Sequence, residues 1–523
     1  MKELQNISPR EYQKAIFETA KDNNTLVILP TGLGKTLIAL MLSIDRLKKF
    51  PGQKILILAP TRPLVEQHLE SFKKQLPELF ADLQLFTGSI HAKKRRQIWQ
   101  SAEIIFSTPQ CVANDLRGQL YDLNSVALLI FDEAHRCLKN YDYTYIAKKY
   151  KEQAQNQLIL GLTASPGSDK EKVKQICGHL AVSKVELRSR DSSDVKQYLQ
   201  DREFQKHEVP FPQEFIELRI LLKRIFDSKV EQLKNRNLLF GPANKITLLN
   251  LQNQLARQVS PGNFQAMIGM SLCAQAIKIS HAIELLETQT LSGLKEYMGN
   301  LQKQAVEKKS KGVQTLVNSP EFKASIISLN KLLEQKIEHP KLEELKTLIE
   351  SEFSENEKSK IIVFAQFRET AKTIAAKLNT ISKVNAKLFI GQAKKSSASG
   401  STGLSQKEQK QVIEQFKNNE INVLCATSIG EEGLDIPEVN AVYFYEPIPS
   451  EIRRIQRAGR TARLMPGKLA ILITKNTRDE AHHYASIARE KKMHRTIEAV
   501  KEEIKNANNN PNLNNFINKK ENG

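Results

Sequence analysis

Between residues 25 and 190, short apolar runs alternate with stretches whose apolar residues recur at helical spacing. The runs, at 25–29, 55–59, 104–107, 126–131 and 158–163, are apolar without alternation and give way to glycine, proline or acidic punctuation. Continuous apolarity over a few residues is what a strand covered on both faces needs, and an amphipathic helix after it returns the chain for a parallel neighbour. The rhythm resumes after residue 340, with runs at 361–365, 423–426, 441–445 and 469–474. Two α/β domains are therefore expected. Over about 205–338 strand-like runs are scarce, while Phe215, Leu218, Leu222, Ile225, Phe226 and Leu233 keep helical spacing. The predicted fold class is α/β, two parallel-sheet domains (1–204 and 339–500) with an all-helical domain (205–338) inserted between them. The polar stretch 501–523 reads as a disordered tail.

A chain of 523 residues has room for these three domains. Its 78 Lys and Arg against 58 Asp and Glu leave a charge of +20, a surplus that suits a polyanionic partner. No run of about 18 uncharged apolar residues and no apolar N-terminal core is present, which argues against a membrane span and against secretion. The five cysteines (Cys111, Cys137, Cys177, Cys273 and Cys425) are scattered and form no Cys-x-x-Cys pair, so neither disulfides nor a zinc site is expected. They read as buried thiols of a cytoplasmic protein.

The first run leads into Pro30, Thr31, Gly32, Leu33, Gly34, Lys35 and Thr36, and then into an amphipathic stretch. A phosphate chain needs close backbone approach, a helix N-terminus, one ammonium and a hydroxyl for Mg2+, and all four are supplied at the P-loop spacing. Leu29 stands where the general P-loop pattern has glycine. The run 126–131 ends in Asp132-Glu133-Ala134-His135. A carboxylate at a strand tip beside a P-loop can hold Mg2+, and its neighbour can orient and deprotonate water, so Thr36, Asp132 and Glu133 form the expected metal set with Glu133 as base. In the second α/β block Gln456, Arg460 and Arg463 share one helix face. Two guanidiniums delivered from a second domain suit the charge that develops on a γ-phosphate in flight.

In this order the residues resemble superfamily 2 helicases. Arg10-Glu11-Tyr12-Gln13 is similar to the adenine-reading element, with Arg10 and Gln13 as contacts, and Ala59-Pro60-Thr61-Arg62-Pro63-Leu64 to motif Ia. Thr108-Pro109-Gln110 resembles motif Ib, Thr163-Ala164-Ser165 motif III, and Ile362-Val363-Phe364-Ala365-Gln366 motif IV. Ala426-Thr427-Ser428-Ile429-Gly430-Glu431-Glu432-Gly433-Leu434-Asp435 resembles motif V, which adds Gly433 and Asp435 to the nucleotide set. Within the superfamily, Leu29 to Thr36, Phe131 to Arg136, His339-Pro340-Lys341-Leu342 and Gly403 to Gln409 resemble the helicase part of archaeal Hef, a relative of Fanconi anaemia group M protein and XPF.

That resemblance implies two RecA-like domains flanking a helical insert, ATP and Mg2+ as cofactors, and 3′–5′ movement on single-stranded DNA with action at forks and four-way junctions. It also implies that His135 couples the ATP site to Thr163 and Ser165. Full-length Hef continues into a nuclease that is not seen here, so no nuclease activity is expected and a separate XPF-type nuclease subunit is an expected partner, in an archaeal cytoplasm. Thr61, Arg62, Thr87, Gly88, Thr108, Gln366 and Thr427 fall at strand ends or helix starts. Each threonine alone reads as a cap or turn, and the motif context makes the set a track for phosphates. Trp99 and the tyrosines Tyr141, Tyr143, Tyr145 and Tyr150 read as core or as base-stacking groups, and Lys223, Arg224, Lys229, Lys234 and Arg236 as a solvated helix face or a DNA surface. An RNA-directed ATPase of the Dicer or RIG-I-like type, or a junction-binding platform for a separate nuclease, are the competing functions.

Overall fold

The structure is a computed structural model describing residues 3–5, 7–260, 263–391, 396–397, 400–401, 403–430, 436–461 and 466–509. Seven strands, β1 (Thr25–Ile28), β2 (Lys54–Leu58), β3 (Leu83–Phe86), β4 (Ile104–Ser107), β5 (Val126–Asp132), β6 (Ile159–Thr163) and β7 (Lys184–Leu187), form the first sheet. It is parallel throughout, in the order β3-β4-β2-β5-β6-β1-β7. Every residue of β1, β2, β4, β5 and β6 is buried, because helices cover both faces. The second sheet takes β8 (Arg202–Val209), β9 (Ile361–Phe364), β10 (Ala386–Phe389), β13 (Val423–Ala426), β14 (Ala441–Phe444) and β15 (Gly467–Thr474), in the parallel order β10-β13-β9-β14-β15-β8. The two-residue strands β11 (Ser396–Ser397) and β12 (Gly400–Ser401) pair separately.

Two expected limits shift. Residues 205–209, read from the sequence as the start of the insert, lie in β8 at the edge of the second sheet, so the chain enters the second lobe before it enters the insert. The stretch read as a tail from 501 is helical to Asn509, as the end of the terminal helix Arg478–Asn509. Residues 510–523 lie outside the described residues. Met493, Ile497 and Val500 of that helix are buried in the apolar layer on one face of the first sheet, and Glu503 pairs with Lys170 at 2.8 Å and Lys174 at 2.9 Å. At roughly 1.5–3 kcal/mol per buried side chain, the apolar contacts strap the end of the second lobe onto the first.

The insert packs around the helix Phe264–Thr288. By length and composition that helix is long and apolar enough to cross a membrane, although polar residues interrupt it, and 56% of its most apolar window is buried inside the protein. Its apolarity is that of a helix surrounded by others. The insert is fixed to the second lobe through Lys341, whose side chain is fully buried. Lys341 Nζ donates to Asp479 Oδ2 at 2.8 Å and to the carbonyl of Thr288 at 2.6 Å, and lies 4.8 Å from the centre of the Tyr445 ring. Beside it the buried His339 bonds the carbonyl of Glu287 at 3.2 Å. Burial and the neighbouring Lys341 hold the imidazole well below its ordinary pKa, so Nε2–H is the donor of a neutral ring. Lys341→Met strands Asp479 in the interior and should cost about 3–5 kcal/mol. Thermal melting checks this, and adding Asp479→Leu should restore most of the loss.

All five cysteines are buried. Trp99 packs on Tyr121 with centroids 3.9 Å apart, and Tyr143 and Tyr150 are fully buried, which makes Trp99, Tyr143 and Tyr150 core residues.

Candidate active site and nucleic-acid interface

One edge of the first sheet collects the chemistry. β5, β6 and β1 are neighbours, so the P-loop after β1, Asp132 and Glu133 after β5, and Thr163 at the end of β6 converge. Gly32 and Gly34 take φ of 86° and 74°, and a Cβ on Gly34 would overlap the Gln13 side chain. Glycine is needed there for both reasons. Gln13 Nε2 and the hydroxyl of Tyr12 both donate to the carbonyl of Leu33, at 3.1 and 2.9 Å, so the adenine-side helix grips the P-loop. Arg10 N–H donates to Gln13 Oε1 at 2.8 Å, and its guanidinium lies 4.9 Å from the centre of the Tyr198 ring. Lys35 opens the helix Lys35–Lys49, its ammonium 3.0 Å from the carbonyl of Leu29.

The Thr36 hydroxyl and Asp132 are joined by a residue the sequence reading passed over. His68 Nε2 is 2.8 Å from Asp132 Oδ2, and its Nδ1 is 3.5 Å from Thr36 Oγ1. Burial pushes the Asp132 carboxyl up, but His68 and Lys35 outweigh it and leave the pKa below its usual value. Hydroxyl and ionised carboxylate facing one another across a ring are the oxygen donors a Mg2+ ion takes, so the residues fit that ion. Glu133 sits at φ 51°, and its Oε2 is buried without a hydrogen-bond partner, as is Thr31 Oγ1. Two polar atoms left in this state at a strand edge suit a ligand that carries phosphate and water.

From Glu133 a line of contacts crosses the protein. His135 Nδ1 is 3.3 Å from Glu133 Oε2 and 3.1 Å from Thr163 Oγ1, and the Thr163 hydroxyl donates to the carbonyl of Ser165 at 3.1 Å. Ser165 Oγ then meets Met493 Sδ on the terminal helix at 2.8 Å. His135, Thr163 and Ser165, the residues expected to couple the sites, are thus contiguous, and Met493 extends the contacts to the terminal helix.

That lobe closes over the P-loop. Gln456 lies in the helix Glu451–Ala458, followed by Gly459 and the buried Arg460. A Cβ on Gly459 would overlap Thr31 Oγ1, which puts the residue before Arg460 in contact with the phosphate loop. A cavity of about 420 Å³ adjoins this contact, lined by Pro30, Thr31, Ala458, Gly459 and Met493. Arg202 in its wall is pulled down to about 10, chiefly by burial and also by the neighbouring Arg190. Gly433, Asp435 and Arg463 lie outside the described residues.

The other half of the same edge is different. β3, β4 and β2 are neighbours, and Thr87 and Gly88, Thr108, and Thr61 with Arg62 follow them in that order. Thr61 and Thr108 begin helices without side-chain caps, each with proline in the first turn, and Thr61 Oγ1 has no hydrogen-bond partner. Arg62 is exposed and bonds Glu66 at 2.7 Å, while Thr87 pairs with Ser89 at 2.7 Å. Across the cleft, Gln366 and Thr427 follow the adjacent strands β9 and β13. Open helix N-termini and hydroxyls suit phosphate oxygens and read no base.

Residues 10–173 match the DEAD/DEAH box helicase family and residues 340–465 the helicase conserved C-terminal domain. Residues 214–338 match the helical bundle of a provisionally named ATP-dependent RNA helicase. The crystal structure of the Hef helicase domain of Pyrococcus furiosus is 41% identical, with a TM-score of 0.69, over 91% of this chain and 98% of that one. A Methanocaldococcus jannaschii protein, provisionally named an ATP-dependent RNA helicase, is 38% identical over 94% of this chain and 61% of its own length. The ATP-dependent DNA helicase mph1 of Neurospora crassa is 32% identical over 92% of this chain and 42% of its own. The chain thus spans about half the length of these curated relatives.

Proposed function

The chain belongs to the Hef helicases of superfamily 2, and on that premise we propose that it couples ATP hydrolysis to 3′–5′ movement along DNA, acting on forks and four-way junctions in replication-fork repair. The observation that carries this reading is the division of one sheet edge, with hydrolytic groups at the tips of β1, β5 and β6 and phosphate-directed groups at the tips of β3, β4 and β2. Lys35 neutralises the phosphate oxygens, and Thr36, Asp132 and Glu133 would hold Mg2+, which when bound offsets charge on the transferred group. Glu133 takes the proton of the attacking water, and Arg460 and Gln456, with Arg463, approach the γ-phosphate from the second lobe. The line from His135 to Met493 then links the state of the nucleotide to the gap between lobes. Thr61, Thr108, Gln366 and Thr427 hold the tracked strand by its backbone, and the exposed Lys223, Arg224, Lys234 and Arg236 of the insert face a second arm of the branch. A separate XPF-type nuclease and an archaeal cytoplasm complete the setting.

RNA-directed hydrolysis is the second reading, favoured by the word RNA in the names of the Methanocaldococcus relative and of the helical-bundle family. ATP turnover measured with single-stranded, forked and four-way DNA and with duplex RNA separates the readings. Forks and four-way junctions should stimulate most, roughly tenfold or more above duplex RNA, a preference equal to about 1.4 kcal/mol. Strongest stimulation by duplex RNA would overturn the DNA assignment, and equally weak stimulation by all would leave a junction-binding platform.

A further inference from the structure

A second cavity, of about 480 Å³, lies in the crease between the insert and the second lobe. This is within the size range of small-molecule sites, about 300–1,000 Å³. One wall is aromatic. The His281 ring meets Tyr297 edge-on at 4.7 Å and Phe367 at 5.4 Å, and the Tyr297 hydroxyl is anchored on the carbonyl of Lys278 at 3.1 Å. Glu296 and Glu369, one from the insert and one from the lobe, also line the cavity, together with the half-buried amide of Asn300. Burial and the hydrogen-bonded Glu369 carboxyl raise the pKa of Glu296, so the two carboxyls face each other closely. At the rim are Gln366 and Thr427.

The lining selects its occupant. Arg368 also lines the cavity, but its guanidinium is engaged with the carbonyl of Gly391 at 3.2 Å, and the paired carboxyls leave a phosphate little to bind. A metal ion is poorly served, since among the described residues no group of three or more ligating side chains is placed to hold one. A flat, neutral ring with N–H donors on its edge suits both kinds of group, stacking on the aromatic residues and donating to the carboxylate and amide oxygens. The rim residues are those that the proposed function assigns to the backbone of the tracked strand, so a base on that strand is within reach. We propose that this crease is a pocket for one unstacked nucleobase, turned out of the tracked strand where it passes between the second lobe and the insert. Adenine and cytosine, whose exocyclic amino groups donate to a carboxylate, fit it better than thymine, which presents two carbonyl oxygens to the same groups. The inference rests on the assignment of Gln366 and Thr427 to the DNA backbone.

The test uses the full chain and forked DNA carrying a single 2-aminopurine at successive positions of each strand. Binding should brighten the probe severalfold at one position. With natural bases at that position, adenine should be bound about 5- to 100-fold more tightly than thymine. Glu296→Gln, which keeps the shape and adds a donor, should erase the preference, and Asn300→Ala should lower the probe signal, in proteins that melt like the parent. A probe that stays dark at every position, while forked DNA still stimulates ATP hydrolysis, overturns the pocket and leaves the proposed function standing. A preference that survives in Glu296→Gln overturns it as well. Absence of any DNA stimulation would instead count against the proposed function itself.

Discussion

Glu133→Gln should bind nucleotide as the parent does and lose about 10²–10⁴-fold in ATP turnover. The amide fills the same space and keeps a carbonyl oxygen with which to orient water, but it has no charge with which to take a proton. Glu133 occupies a left-handed backbone position, where an unbranched replacement adds no new strain. Its Oε2 is buried with no hydrogen bond, and the contact it makes, His135 Nδ1 at 3.3 Å, can be kept by the amide oxygen. Phosphate release measured beside the affinity for a fluorescent nucleotide separates chemistry from binding. Lys35→Ala supplies the contrast, since losing the ammonium at the phosphate loop should weaken binding itself. Near-parental turnover in Glu133→Gln would remove this residue from the role of base.

Arg460→Ala should abolish hydrolysis by a different route, with an expected loss of about 10³–10⁵-fold if its guanidinium reaches the transferred group. Arg460 is more than four hundred residues from Lys35 in the sequence. It comes near only because Gly459 rests against Thr31 when the lobes meet. DNA affinity without nucleotide should change little, because the phosphate-directed groups lie on other strand tips. Arg460→Lys keeps one charge but loses the planar fork, and should recover little of the rate. A variant that hydrolyses ATP normally would remove Arg460 from contact with the transferred group.

The parallel strands, the P-loop, the acidic strand tip and the helical insert were legible because each rests on local pattern, an apolar run, a glycine spacing or a helical period. What escaped is informative. β8 exposes half of its residues and buries only Val209, so the stretch has none of the continuous apolarity that marks its neighbours, and only the edge of a distant sheet makes it a strand. His68 looked like a lone histidine, since its partner Asp132 is 64 residues away. Lys341 and Asp479 are fully buried, whereas charged residues are read by default as surface. The terminal helix could have been found. Met493, Ile497, Val500 and Ile504 follow the helical repeat through a polar stretch, a signal masked by the charges around it.

The terminal helix also bears on how the protein comes into being. Leu187 ends the first sheet, but Met493, Ile497 and Val500, which cover one face of that sheet, are made more than three hundred residues later. At a synthesis rate of about 5–20 residues per second, roughly 15–60 s pass between the two. Throughout that interval the nascent first lobe carries an uncovered apolar strip, available to a chaperone or to a neighbouring nascent chain. Emergence of the terminal helix, rather than of the first lobe, is then the moment at which its core is completed.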